Sequence, residues 1–327
     1  MNRYSLILLT LCALFCAGLE LGERYELPRI RAMDARLNAE HARADELRQV
    51  QGQPVPVLIV GNSLLKKGVN LSLLNKKLHP EYAVTRFVVE DTNYLDWYYG
   101  LRRLFHEGAR PKAVVLVLNA RQLIAQDVDG DYFAQLLMDR RDLLSVKRSV
   151  ATDNTATSNL LFANLSRFYG FRSEVHKGFL LHLLPDFPAL AAKLRPVPLP
   201  LAADDEIDRK ATRRLKEISS LCSEYGAQFV FVVPPSGTAP DGSGAIQRAG
   251  NRIGVLVFVP FQPQQLPPDL YSDGFHLSYH GANIFTDALG SGLRQLLGND
   301  NPMQSAESNH TVRGSGVSLY VAKPSQY

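Results

Sequence analysis

Cysteine is scarce in this 327-residue chain. There are three, Cys12, Cys16 and Cys222, and the first two fall inside an apolar N-terminal run. The rest of the chain therefore has no pair for an intramolecular disulfide and no cysteine cluster for zinc. Cys222 lies in a stretch that reads as a helix, where a buried, inert thiol is expected. A surplus of one charge is also lacking: 36 Lys and Arg against 32 Asp and Glu give a formal net charge of +4. The basic residues are mixed with acids rather than gathered in a stripe, which argues against a nucleic-acid partner. No glycine-rich loop matches a dinucleotide or P-loop pattern, so no cofactor is expected. His276 and His280 have i, i+4 spacing, but the Glu and regular helix of H-E-x-x-H are missing and Gly281 interrupts. No metal is expected there.

Apolar material is plentiful. Hydrophobic residues make up 46% of the chain, enough for a sizeable core. Residues 4–19 (YSLILLTLCALFCAGL) carry no charge, with Arg3 before them and Glu20, Glu23 and Arg24 after. As a helix this run reaches about 24 Å, a little short of a ~30 Å hydrocarbon core. Residues 1–21 are read as a signal anchor, with a cleaved signal peptide as the alternative. Either exports the chain, because Arg3 holds the N-terminus inside. The expected location is membrane-anchored and facing the periplasm or cell exterior, or secreted after cleavage. Residues 22–52, rich in Ala, Arg, Glu and Leu, read as a solvated helical stalk.

From residue 53 short apolar runs alternate with helical patterns. Strands are expected at 55–60, 86–90, 113–118, 228–233 and 254–259, and helices at 71–78, 95–106, 204–225 and 286–297. This predicts an α/β domain over 53–297: a three-layer parallel sheet with helices on both faces. The alternation stops between about 120 and 200, which reads as a helical insertion. Residues 298–327, rich in Ser, Asn and Gly, are expected to be a disordered tail. The cluster Tyr94, Trp97, Tyr98 and Tyr99 is read as a core-facing helix surface rather than a sugar platform.

In an open parallel sheet, sites gather beyond the carboxyl ends of the strands. Ser63 stands there after the first strand, in Gly61-Asn62-Ser63, entering a helix. Its hydroxyl would project into the crevice and its backbone N–H would point at a developing oxyanion. A serine needs a base, and the base needs a carboxylate to orient it. His276 and Asp273 lie three residues apart in a glycine-containing loop after the last strand.

These two blocks, Gly61-Asn62-Ser63 and Asp273-Gly274-Phe275-His276, resemble the G-D-S and D-x-x-H blocks of the SGNH/GDSL hydrolase superfamily, in the same order. The run DGFHLSYHGANIFTDAL looks like the closing segment of membrane-anchored members that handle acyl groups on cell-surface polymers. The likeness covers about 55–118 and 228–297. It implies Ser63 as nucleophile, His276 as base and Asp273 as its partner. It also implies an oxyanion hole of the Ser63 N–H and Asn119 after the third strand; after the second strand, where the family has a glycine, Asn93 is taken as the donor from its position. Three departures stand out. Asn62 replaces the family's aspartate, the Gly and Asp flanking the usual asparagine are absent at Asn119, and no glycine follows the second strand. The expected function is an exported serine esterase or O-acyltransferase acting on acyl esters, acetyl above all, of an envelope or secreted polysaccharide. An acylated carbohydrate is the expected substrate, and a membrane-bound acyltransferase the expected protein partner. The alternatives are a non-catalytic scaffold or binding subunit of an envelope assembly, and a lipid or thioester hydrolase whose acyl channel would use 179–184.

Overall fold

The computed structural model of the chain describes residues 3–26, 28–128, 133–150, 153–173, 180–181, 183–184, 186 and 200–298. The apolar runs form the strands of one five-stranded parallel sheet: β1 (Val55–Gly61), β2 (Tyr82–Val88), β3 (Ala113–Val117), β4 (Gln228–Val232) and β5 (Leu256–Phe258), in the order β2-β1-β3-β4-β5. β1 and β3 are interior strands and nearly every residue in them is buried. Alternate side chains feed opposite layers: Leu58 and Val60 enter one core, Val57 and Ile59 the other.

Helices cover both faces, as expected. Ser63–Gly68 (α3) and Leu71–Leu78 (α4) carry the chain from β1 to β2, and Tyr94–Glu107 (α5) from β2 to β3. Ala120–Ile124 (α6) follows β3. The insertion contains a π-turn at Phe133–Leu137, a 3₁₀ turn at Arg140–Asp142, then Leu143–Val150 (α7), Asn154–Leu165 (α8) and Arg167–Gly170 (α9). Asp204–Glu224 (α10) leads into β4, Ser243–Ile253 (α11) joins β4 to β5, and Tyr279–Gly298 (α12) closes the domain. Cys222 is fully buried in α10, and burial pushes its thiol well above the ordinary range. Of the four aromatics read as core-facing, Tyr94, Trp97 and Tyr99 are buried in the core, while Tyr98 is only partly buried.

Three expectations need adjustment. β2 spans Tyr82–Val88 and not 86–90, since an edge strand pairs on one side only and needs no continuous apolar run. α11 was not expected: Gly244 and Gly250 dilute a face on which Ala245, Ile246 and Ala249 are buried. The stretch read as a solvated stalk is also different. It forms Pro28–Asp45 (α2), which packs along β2 with Leu37, Glu40 and Ala44 buried. Glu40 accepts the N–H of Val88 at 2.8 Å and Arg86 at 3.1 Å, with Arg36 at 3.5 Å. An open sheet edge exposes unpaired N–H groups, and α2 covers this one.

Residues Arg3–Glu26 form a continuous helix (α1) that carries the apolar run. Among the described residues no helix is long and apolar enough to cross a membrane. The tail expected to be disordered and much of the insertion, 174–179 and 187–199, lie outside the described residues.

Replacing Glu40 by Ala is expected to cost about 1–3 kcal/mol, because it leaves the buried Val88 N–H without an acceptor and half-buried Arg86 without its partner. The measurement is a urea midpoint. Glu40→Gln, whose carbonyl still accepts from Val88, should recover part of the loss.

Candidate active site

The strand order reverses between β1 and β3: the chain leaves β1 for β2 on one side and returns past β1 to β3 on the other. Ligand crevices open at such a switch point. Gly61 pairs with Val117 across the β1–β3 ladder, so Ser63 and Asn119 each stand two residues beyond the same rung. The two strands approach closely there. A Cβ built on Gly61 would lie 2.7 Å from the carbonyl oxygen of Val117, so only glycine fits.

Asn62, fully buried, caps α3. Its Oδ1 accepts the N–H of Leu64 at 3.0 Å, and its Nδ2 donates to the carbonyl of Thr92 at 2.8 Å. Thr92 is itself held, donating to Val89 O at 2.6 Å and accepting the indole N–H of Trp97 at 2.9 Å. This network ties the loop after β2 to the turn bearing Ser63. It also gives Asn62 a job that an ionised aspartate could not do, because the bond to Thr92 needs a donor. On the outer side, Glu90 receives both Arg36 of α2, at 2.6 and 2.8 Å, and Lys66 of α3. Burial raises the Glu90 pKa, but the bond from Lys66 and the charge of Arg36 outweigh it, and the carboxyl titrates below its ordinary range.

Asp273 and His276 sit on a small hairpin. Tyr271 and Leu277 form an antiparallel bridge, Ser272 N–H donates to His276 O at 2.8 Å, and Gly274 takes a left-handed φ of 76° at the tip. Asp273 Oδ1 accepts the backbone N–H groups of His276 at 2.7 Å and Phe275 at 3.1 Å, leaving Oδ2 for the ring. Leu277 is buried and packs with Phe285 of α12 against Gly68 of α3. The hairpin and the helix carrying Ser63 thus rest on one apolar cluster.

The structure brings three of the sequence-predicted residues into a hydrogen-bonded chain. His276 Nδ1 lies 2.8 Å from Asp273 Oδ2, and His276 Nε2 lies 3.0 Å from Ser63 Oγ. Ionised Asp273 only accepts, so the ring proton belongs on Nδ1 and Nε2 is left to accept from the serine hydroxyl. The backbone N–H of His276, then its ring, hold the Asp273 carboxyl far below the usual carboxylate range. Stability from this depression is present above the unfolded-state pKa and is lost as pH falls through the folded one. With the Asp273 side chain 43% exposed, that contribution is screened by solvent. Lys67 Nζ stands 4.0 Å from Asp273 Oδ2, and both groups are exposed enough for the pair to contribute little.

The two asparagines differ. Asn119 caps α6, its Oδ1 accepting Gln122 N–H at 3.0 Å and its own N–H donating to Gln122 Oε1 at 3.0 Å. These bonds leave its amide Nδ2 as the donor at the sheet edge. Asn93 is directed elsewhere: its N–H donates to Asp96 at 2.7 Å and its Nδ2 to Asp127 at 3.3 Å. Sequence reasoning did not anticipate the exposed aromatics that flank His276 in the sequence. Phe275, 49% exposed, lies edge-on to His276 with ring centroids 5.0 Å apart, and Tyr279, 79% exposed, opens α12. Their positions flanking His276 were the available signal. Among the described residues no group of His, Cys, Asp and Glu is placed to hold a metal ion.

No protein-family model and no curated protein matches the sequence. Solved structures give distant likenesses. An α/β hydrolase from the metagenome of Lake Arreo is 12% identical, with a TM-score of 0.38 over 73% of this chain and 96% of that one. A family two carbohydrate esterase from Clostridium thermocellum is 12% identical, with a TM-score of 0.39 over 77% and 67%. An acetyl xylan esterase from Butyrivibrio proteoclasticus is 10% identical, with a TM-score of 0.35 over 78% and 67%. Scores this low leave fold and activity to be argued from the chain's own residues.

Asn62→Asp is expected to destabilise the fold by about 1–3 kcal/mol near neutral pH, since it removes a buried donor and sets a carboxylate against the Thr92 carbonyl. The buried acid would titrate high in the folded state. Its penalty should therefore shrink as pH falls and the acid regains a donor. Thermal melts at pH 7 and pH 4, each against wild type, check both parts.

Proposed function

We infer that the chain is a serine esterase or acyltransferase of the SGNH type, acting on acyl esters of an envelope or secreted polysaccharide, with acetyl the expected acyl group. The observation that carries this reading is the bonded chain Ser63–His276–Asp273 at the switch point of the sheet.

The chemistry follows from the geometry. Ser63 Oγ attacks the ester carbonyl carbon while His276 Nε2 takes the hydroxyl proton, and Asp273 stabilises the imidazolium through Nδ1–H. Negative charge builds on the carbonyl oxygen. The Ser63 N–H, first in α3 and so without an intrahelical acceptor, is one donor to it and the Asn119 amide the other. The tetrahedral species collapses as His276 returns the proton to the departing sugar oxygen, leaving an acyl-serine. His276 then deprotonates the second nucleophile. Water releases the free acid; a sugar hydroxyl gives a new ester. The same residues serve both outcomes, and a membrane-bound acyltransferase remains the partner we propose for the transfer reaction.

A carbohydrate is favoured over a long acyl chain by the surroundings of His276. The site is open, with half-exposed Phe275 against the ring of His276 beside Asp273, and Tyr279 exposed three residues on at the start of α12. Aromatic faces suit the C–H faces of sugar rings. The segment 179–184, invoked for an acyl channel, lies largely outside the described residues. Export and membrane attachment through α1 complete the proposal. The exposed apolar side chains Leu6, Ile7, Leu8, Leu11, Leu14 and Phe15 support that attachment.

Labelling by a fluorophosphonate serine probe is expected for wild type and not for Ser63→Ala or His276→Ala. Full labelling of Ser63→Ala would refute the mechanism. Asp273→Asn should fold normally but lower kcat for a small acetyl ester by about 10⁴-fold, through the wrong ring tautomer. Phe275→Ala with Tyr279→Ala should raise KM for an acetylated polysaccharide about tenfold or more while leaving p-nitrophenyl acetate turnover within a factor of about two. Equal losses on both substrates would remove the sugar-platform role.

A further inference from the structure

The insertion between β3 and β4 has an outer surface unlike the rest of the domain. Apart from α1, the exposed large hydrophobic side chains among the described residues are Val50, Leu144, Phe162, Leu165, Leu183, Leu184, Phe275 and Tyr279. Five of these eight belong to the insertion. α8 shows why they do not simply belong to the core. It buries Leu160 and Ala163 on one face and exposes Phe162 and Leu165, at 54% and 55%, on another. The outer face is polar at its start, with Asn154, Thr155 and Ser158 exposed, but its C-terminal half is apolar outside as well as inside, and that half needs a second apolar environment.

That outer face is held in place. Asn164 donates to Met138 O at 3.2 Å and accepts Arg140 Nε at 2.8 Å, and Gln135 Nε2 donates to Ser166 O at 3.0 Å. The π-turn and α9 both pack against α8, so Phe162 and Leu165 point outward by construction. α9 in turn packs against α1, the helix whose Leu6, Ile7, Leu8, Leu11, Leu14 and Phe15 are all more than half exposed. Around Leu144, 68% exposed, stand the exposed cations Arg140, Arg141 and Arg148.

We propose that the outer face of the insertion, Leu144, Phe162 and Leu165 with the flanking arginines, lies against the same lipid surface as α1 and seats the domain on an anionic membrane. The inference rests on the membrane reading of α1. Contact with α1 supplies the occupant, and the arginines supply complementarity to anionic headgroups. Apolar side chains at the acyl boundary with cations at headgroup level are the pattern of an interfacial surface. The insertion is then a membrane seat that fixes how the open site faces its substrate.

The test uses the full chain reconstituted into vesicles of phosphatidylethanolamine and phosphatidylglycerol, with brominated or plain acyl chains. Trp97, the single tryptophan and fully buried, gives a constant background. Phe162→Trp should lose emission about twofold more in brominated than in plain vesicles, and Tyr279→Trp, beside the proposed active site, should not. If the protein floats with the vesicles but Phe162→Trp is quenched no more than wild type, the seat is refuted and the role of α1 stands. Cross-linking of that face to a second copy, without lipid quenching, would refute it equally. Failure to float at all would sink the membrane reading of α1 and this inference together. Phe162→Glu with Leu165→Glu serves as the complementary variant: it should raise the salt sensitivity of flotation, and no change would count against the seat.

Discussion

β1 and β3 come together so closely at their carboxyl ends that the residue at position 61 has no room for a side chain. That constraint organises what lies around it. The turn after Gly61 must be sharp, Asn62 is driven into the interior, and Ser63 emerges at the start of a helix two residues beyond the rung it shares with Val117. The buried amide of Asn62 converts the closeness into a fixed geometry by bonding forward to Leu64 and sideways to Thr92. In the low-dielectric interior a satisfied network of this kind is rigid, and a half-satisfied one is costly.

Much of the fold was legible because buried parallel strands leave a plain signature. VPVLIV, AVVLVL and QFVFVV are continuous apolar runs of strand length, and each became a strand close to its expected bounds. The signature weakens wherever a strand or helix is only partly buried. β2 begins at Tyr82, where one side of the strand faces α2 rather than another strand. α11 hid behind its glycines, and α2 behind a composition typical of solvated helices. Its docking depends on a few contacts, chiefly Glu40 with Arg86 and the Val88 amide, and such long-range polar pairing has no local sequence period.

The site was legible for a different reason. Ser63 and Asp273-Gly274-Phe275-His276 stand in loops at the correct edge of the sheet, and the roles expected of them require proximity, which the structure supplies. Asn62, which departs from the G-D-S block, has a structural reason of its own. Asn93, expected from its position after the second strand, is drawn from that role by hydrogen bonding to Asp96 and Asp127. Phe275 and Tyr279 could not be weighed before the fold was known, because exposure beside a named histidine is a three-dimensional property.

The hairpin bearing Asp273 and His276 is self-sufficient. Its carboxylate accepts two backbone donors and the imidazole from within the same few residues, and none of these bonds involves Ser63. Serine therefore joins a pair that is already assembled, through one hydrogen bond and a shared apolar footing. A descendant of this chain could lose its nucleophile by a single substitution and keep its shape, its acid–imidazole pair and its surface. In this architecture activity and form are inherited separately, so a lineage could pass from transforming a ligand to merely holding it without crossing an unfolded intermediate.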